Sequence, residues 1–181
     1  MTEGDAIVLD GTVTSANGRN DVHFERHLDV PVEDLWTAIT EPERMEGWIG
    51  GPVDELELKE GGNVIIQIHP AGPATVYGKL TTYDPGHLLE LTWDVPAWGP
   101  MPDLFGTTMR WEVLPDGSGS KMLLTHSLPV EAGRVHMFLG AWHAHLDELS
   151  NTLAGKAVLP FEDKRMFAMR EAYAAHIGPV D

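Results

Sequence analysis

Polar and apolar residues alternate from Val22 to Val30, with Val22, Phe24, Leu28 and Val30 on one side and His23, Glu25, His27 and Asp29 on the other. This is the period-two pattern of a half-buried strand. Arg26 falls on the otherwise apolar side and so requires a partner. Asn17-Gly18, a pair that tolerates the positive φ angles of a tight hairpin, separates this run from Ala6 to Ser15, and the domain is predicted to open with a hairpin. From Pro31 the period becomes helical, with Val32, Leu35, Trp36 and Ile39 on one face and Pro31 placed for a first helical turn. Thr40 with Glu43 reads as a capping box for a second short helix ending near Gly47.

Six strand-like runs follow: 53–59, 63–69, 75–84, 88–95, 104–114 and 121–128. Their punctuation is Glu60-Gly61-Gly62, Pro70-Ala71-Gly72-Pro73, Asp84-Pro85-Gly86 and Pro115-Asp116-Gly117. Connections this short predict an antiparallel meander, because parallel neighbours need crossovers of a dozen or more residues. The longest interruption, Pro96 to Asp103, carries Trp98 and Met101 and reads either as a lid over a site or as a long hairpin with Trp98 packed on its outside. A helix is predicted from about Glu131 to Ala154, with Val135, Phe138, Trp142, Leu146, Leu149 and Leu153 as its apolar stripe and Gly155 as its stop. A further amphipathic segment, Phe161 to Ile177, carries Phe161, Met166, Met169, Tyr173 and Ile177; it is suited to packing on the domain or to pairing two copies as a homodimer. The expected organisation is one domain over 1–155 and a helical extension over 156–181.

Length and composition narrow the class without naming a function. A chain of 181 residues with 43% hydrophobic and 22% charged residues has enough material for one soluble core. Twelve basic against 28 acidic residues give a net charge of −16, which repels nucleic-acid backbones and anionic lipid surfaces, so neither partner is expected. No cysteine is present, which excludes disulfides, thiolate metal sites and cysteine nucleophiles. The acidic start has no signal-peptide pattern and no stretch is long enough to span a membrane, so a cytoplasmic location is expected.

Several segments together carry a resemblance: Val30 to Glu43 (Val-Pro-Val-Glu-Asp-Leu-Trp-Thr-Ala-Ile-Thr-Glu-Pro-Glu), Trp48, Glu60-Gly61-Gly62, Gly78, Asp84-Pro85 before Leu91-Thr92-Trp93, Leu123-Leu124-Thr125-His126, and Gly140-Ala141-Trp142 leading to Leu146-Asp147-Glu148-Leu149. Over roughly 22–153 the chain resembles the START-like superfamily, and within it the bacterial proteins similar to the C-terminal domain of the Hsp90 ATPase activator. The resemblance implies an α+β helix-grip fold, a curved antiparallel sheet wrapped around the long C-terminal helix with a cavity between them. It also implies binding of a small, largely hydrophobic molecule by a carrier, sensor or sequestering protein. The alternatives are a cofactor-free enzyme similar to polyketide cyclases and an interaction module, including an Hsp90 co-chaperone. Nothing before Val22 is long enough to be the N-terminal domain that accompanies the related domain in eukaryotic activators. Gly119-Ser120 stands where the family frequently has Gly-Thr before the last strand.

The residues themselves offer few candidates for chemistry. The large side chains expected to line a cavity are Trp48, Tyr77, Trp93, Trp98, Met109, Trp111, Phe138 and Trp142, although a shift of one residue in a strand inverts such a set. His145 lies between Trp142 and Leu149 on the apolar stripe, either as a general base in the cavity or as a buried histidine bonded to a backbone carbonyl. Arg26 either anchors helix-end carbonyls or a buried carboxylate, or grips an anionic ligand head. His136, Gly140, His143 and Asp147 form one line along the helix; it reads as a polar flank, since the tight HExxH spacing is absent, and no metal site is expected. No nucleophile elbow, phosphate loop or nucleotide fingerprint occurs, and no cofactor is expected. A continuous cavity of ~300 Å3 or more, the lower end for ligand pockets, separates the binding readings from the interaction module.

Overall fold

The computed structural model describes residues 8–68, 74–98, 102–131, 134–156 and 163–177. Among them, eight strands and four helices follow in the order β1 (Thr12–Ala16), β2 (Arg19–Leu28), α1 (Val32–Thr40), α2 (Pro42–Ile49), β3 (Val53–Leu56), β4 (Asn63–Ile68), β5 (Ala74–Asp84), β6 (Leu88–Thr92), β7 (Thr108–Asp116), β8 (Gly119–Leu128), α3 (Val135–Leu153) and α4 (Asp163–Ile177). The strands form one curved antiparallel sheet in the order β1-β2-β8-β7-β6-β5-β4-β3. β2 therefore pairs with β8, the last strand, so the N-terminal hairpin extends the β3 to β8 meander at its β8 edge. This is the helix-grip arrangement.

The hairpin turns where expected, with Asn17 and Gly18 at φ of 53° and 73°. Two terminal signals work differently from their sequence reading. Pro31 is the residue before α1 rather than its first turn, and its carbonyl accepts the amides of Asp34 and Leu35. The Thr40/Glu43 capping box does not form. Thr40 still belongs to α1, where its hydroxyl donates back to the Trp36 carbonyl at 2.7 Å; α2 starts on Pro42 after Glu41, with no side-chain cap.

Strand alternation sends Val22 and Phe24 of β2, Val64 and Ile66 of β4, Leu89 and Leu91 of β6, Trp111 and Val113 of β7 and Met122 and Leu124 of β8 into one core. Leu35 and Ile39 of α1, Trp48 of α2 and Leu139, Leu146 and Leu149 of α3 close it. The long β5 bridges the sheet, pairing first with β4 and then with β6, and its register shifts between Leu80 and Thr82. Its inward positions are Ala74, Val76 and Leu80, so Tyr77 points outward and is 49% exposed.

α4 packs along α3 through Ala144, Met166 and Met169. The approach is close at Gly140, where a Cβ would sit 2.6 Å from the Arg170 backbone nitrogen. The line His136, Gly140, His143, Asp147 is consequently a seam between helices and not a solvated flank. Phe161 of the predicted helix lies outside the described residues.

Candidate functional site

A cavity of about 150 Å3 lies between the inner face of the sheet, α3, α4 and the segment after β6. Its walls are mostly apolar: Trp93, Trp98, Phe138 and Trp142 supply the aromatic surface, with Ile49, Ile68 and Val95 beside them. The segment after β6 reaches the wall because Val95 and Leu104 exchange backbone hydrogen bonds at 2.8 Å and close the base of the loop. Trp98 thus lies on the cavity side. Met101 lies outside the described residues.

Five of the nine side chains expected at a cavity converge on this one: Trp93, Trp98, Phe138, Trp142 and His145. Four do not. Tyr77 is on the far face of the sheet, because its place in β5 is one step out of phase with Val76. Trp48 and Trp111 pack edge to face at 5.7 Å around a separate void of about 20 Å3, too small for more than a water, and the Trp48 indole donates to the Ala38 carbonyl at 2.9 Å. Met109 faces inward but is enclosed completely by the core.

His145 contributes its ring to the wall and holds it in place through Nδ1, 3.0 Å from the carbonyl oxygen of Trp48. A carbonyl only accepts, so Nδ1 carries hydrogen. The carbonyl-bonded histidine of the sequence reading is the one observed.

His126, which the sequence reading groups with the C-terminal histidines but does not assign to the cavity, also reaches the wall. Its signal for an inward position is its place in β8, where Met122, Leu124, His126 and Leu128 alternate inward. The Trp142 indole N–H donates to its Nδ1 at 3.0 Å, which places the ring hydrogen on Nε2, 3.2 Å from Thr107 Oγ1. The Thr107 hydroxyl donates in turn to the Trp93 carbonyl. Every position on the imidazole is used, and burial pushes its pKa down to about 3. His126 is therefore a neutral, fixed part of the wall, with no lone pair left for proton transfer.

That depression has a measurable sign. Between pH 6.5 and about 3 the unfolded chain binds a proton at His126 that the folded chain does not, so stability is complete above pH 6.5 and falls as pH drops through this window. Burial also lowers the pKa of His143, which adds in the same direction. In urea unfolding from pH 7 to pH 4, His126→Gln should show a shallower loss of stability than the wild type, whatever its starting value. Parallel slopes would show that His126 is not what the acid limb reports.

Arg26 is not at the cavity. It donates to Asp147 at 2.6 Å through Nη1 and to Asp10 at 2.8 and 3.3 Å through Nε and Nη2. Arg165 pairs with Asp147 and, at 2.8 Å, with Glu148. Arg26 thus anchors carboxylates, as one sequence reading has it, but part-buried ones, and its charge is taken up within the protein. His143 joins this network, with Nδ1 2.8 Å from the Tyr173 hydroxyl and 3.2 Å from Asp10. Tyr173 also accepts the Gly11 amide at 2.8 Å, and burial raises its pKa to about 12. Among the described residues no histidine and carboxylate group has metal-binding geometry.

The family model for Activator of Hsp90 ATPase homolog 1-like protein matches residues 29–154. The chain belongs to this family. Solved structures agree on the helix-grip fold of its START-like superfamily. CalU16 from Micromonospora echinospora superposes with a TM-score of 0.66 at 21% identity, covering 89% of this chain and 90% of that one. EF2215, a conserved protein of unknown function from Enterococcus faecalis, gives 0.70 at 18% identity, covering 92% and 90%. DynU16, from the dynemicin biosynthetic locus, gives 0.63 at 18%, covering 75% of this chain and 48% of its own. No curated protein sequence matches the chain. Among the described residues of this Hsp90-activator-like chain, no helix is long and apolar enough to cross a membrane.

Proposed function

We propose that the protein binds a small, largely hydrophobic molecule between the sheet and α3, as a carrier, sensor or sequestering protein. The observation behind this reading is the aromatic cavity itself. Four large rings surround space they do not fill, and close packing is the rule for a core that has no ligand to accommodate. At about 150 Å3 the cavity falls short of the ~300 Å3 that separates the binding readings from the interaction module, which counts for the module, but it matches the size that holds a benzene ring. The ligand is thus one with a single ring, or a short acyl chain, as the part that is enclosed.

A cofactor-free enzyme similar to a cyclase has one residue in its favour, His145, whose imidazole forms part of the cavity wall. On that reading His145→Gln keeps binding and loses turnover. The binding reading comes first because it needs only the cavity.

Toluene is the direct probe. Titrated into labelled protein, it should shift the side-chain NMR signals of Trp93, Phe138 and Trp142 in a saturable way. Ala141→Leu, which extends a side chain into the cavity from α3, should weaken that binding at least tenfold while the protein remains folded. Shifts that do not saturate, or that are the same in the variant, would place the ligand elsewhere or nowhere. Native mass spectrometry of freshly purified protein would add the mass of any natural occupant.

A further inference from the structure

The two ends of the cavity differ in charge, and the difference refines the reading above, on which it rests. At one end are Ile49, Trp93, Trp142 and the ring of His145. At the other, Arg134 immediately before α3 and Arg170 of α4 both reach the wall, and Arg170 Nε donates to the Met137 carbonyl, one turn along from Arg134. Arg134 and His145 stand eleven residues apart, about 16 Å along α3 at 1.5 Å per residue.

An arginine at such a place is unusual for this chain. Acidic residues outnumber basic ones 28 to 12, and Arg26, Arg110 and Arg165 each meet two carboxylates. Arg134 makes no ion pair among the described residues. Asp103, the acidic residue on the same wall, is exposed and accepts the Ala97 amide. A guanidinium beside apolar surface offers a planar fork of donors that fits a carboxylate, and among the described residues Arg134 meets none.

We infer that the ligand is an amphipathic acid, with its ring or acyl chain among Trp93, Phe138 and Trp142 and its carboxylate at Arg134. A single negative charge suits the site better than a phosphate monoester, because the field of a chain at −16 opposes a dianion more strongly. Recognition at the arginine end fixes the direction in which the molecule enters. It also explains how a cavity of this size selects among apolar molecules, since the charged end adds the specificity that so few apolar contacts lack.

The test compares 4-phenylbutanoate, 4-phenylbutanamide and 3-phenylpropyl phosphate by calorimetry with the full chain. The wild type should bind the carboxylate about tenfold more tightly than the amide, the low end for a charge-assisted hydrogen bond, and the margin should shrink in high salt. Arg134→Gln should remove the margin and leave amide binding unchanged; Arg134→Glu should reverse it. If those variants do not fold, the salt dependence of the wild-type margin decides alone. Equal binding of acid and amide overturns the inference and leaves the cavity reading standing. Tighter binding of the phosphate overturns the carboxylate assignment. Binding of none of the three, with toluene also failing, overturns both.

Discussion

Arg26→Ala is expected to cost about 3 kcal/mol of stability, the lower end for breaking a buried ion pair by removing one partner. The Arg26 side chain is 11% exposed and holds two carboxylates, Asp10 at 31% and Asp147 at 22%. Removing it leaves both with less compensation; Asp147 retains Arg165, and the partial exposure of Asp10 lets water recover some of the loss. Arg26→Lys should fall between wild type and Ala, because an ammonium cannot make the forked contact to Asp10 while reaching Asp147. Urea unfolding measures all three. A loss under about 1 kcal/mol for the alanine variant would mean that the network is solvated in practice and does not tie the N-terminal segment to α3. If Arg26 instead gripped a ligand, the variants would lose affinity out of proportion to stability.

Trp142→Ala should be as severe or worse, about 4–5 kcal/mol, since truncating a core tryptophan costs about 3–5 kcal/mol and the donor to His126 Nδ1 goes with it. Trp142→Phe separates the two contributions. It retains most of the ring and deletes the N–H, so it should cost about 1–3 kcal/mol, the range for a buried acceptor left without its partner. Guanidinium unfolding of the pair would show whether the hydrogen bond or the packing dominates. A phenylalanine variant as stable as the wild type would assign the whole effect to packing. In that case the orientation of His126 would rest on Thr107 alone.

The features that were legible in the sequence are those set by local periodicity. The Asn17-Gly18 hairpin, the stripe of α3 and the ring positions Trp93, Phe138 and Trp142 each follow from a repeat of two or of three to four residues, and the structure places them accordingly. What was illegible depends on neighbours remote in the chain. Tyr77 fails by a single step of strand phase. His143 looked solvated because nothing in α3 says that Tyr173 of α4 will cover it. His126 belongs to a quoted strand segment, but its role appears only when Trp142 and Thr107, one on a helix and the other before β7, arrive at its two nitrogens. Arg26 shows both cases, since alternation placed it inward and only the fold identified Asp10 and Asp147 as its partners.

Trp48, Trp111, Trp142 and Trp93 form a relay, each indole 5.6–5.7 Å from the next. Indoles this close can exchange excitation energy, so light absorbed at Trp48 is expected to emerge in part from Trp93. Because Trp93 and Trp142 form part of the cavity wall while Trp48 lies deep in the core, a molecule that quenches the wall drains the buried rings as well. If a molecule occupies the proposed site, unlabelled tryptophan emission is expected to fall by more than the two wall rings alone account for.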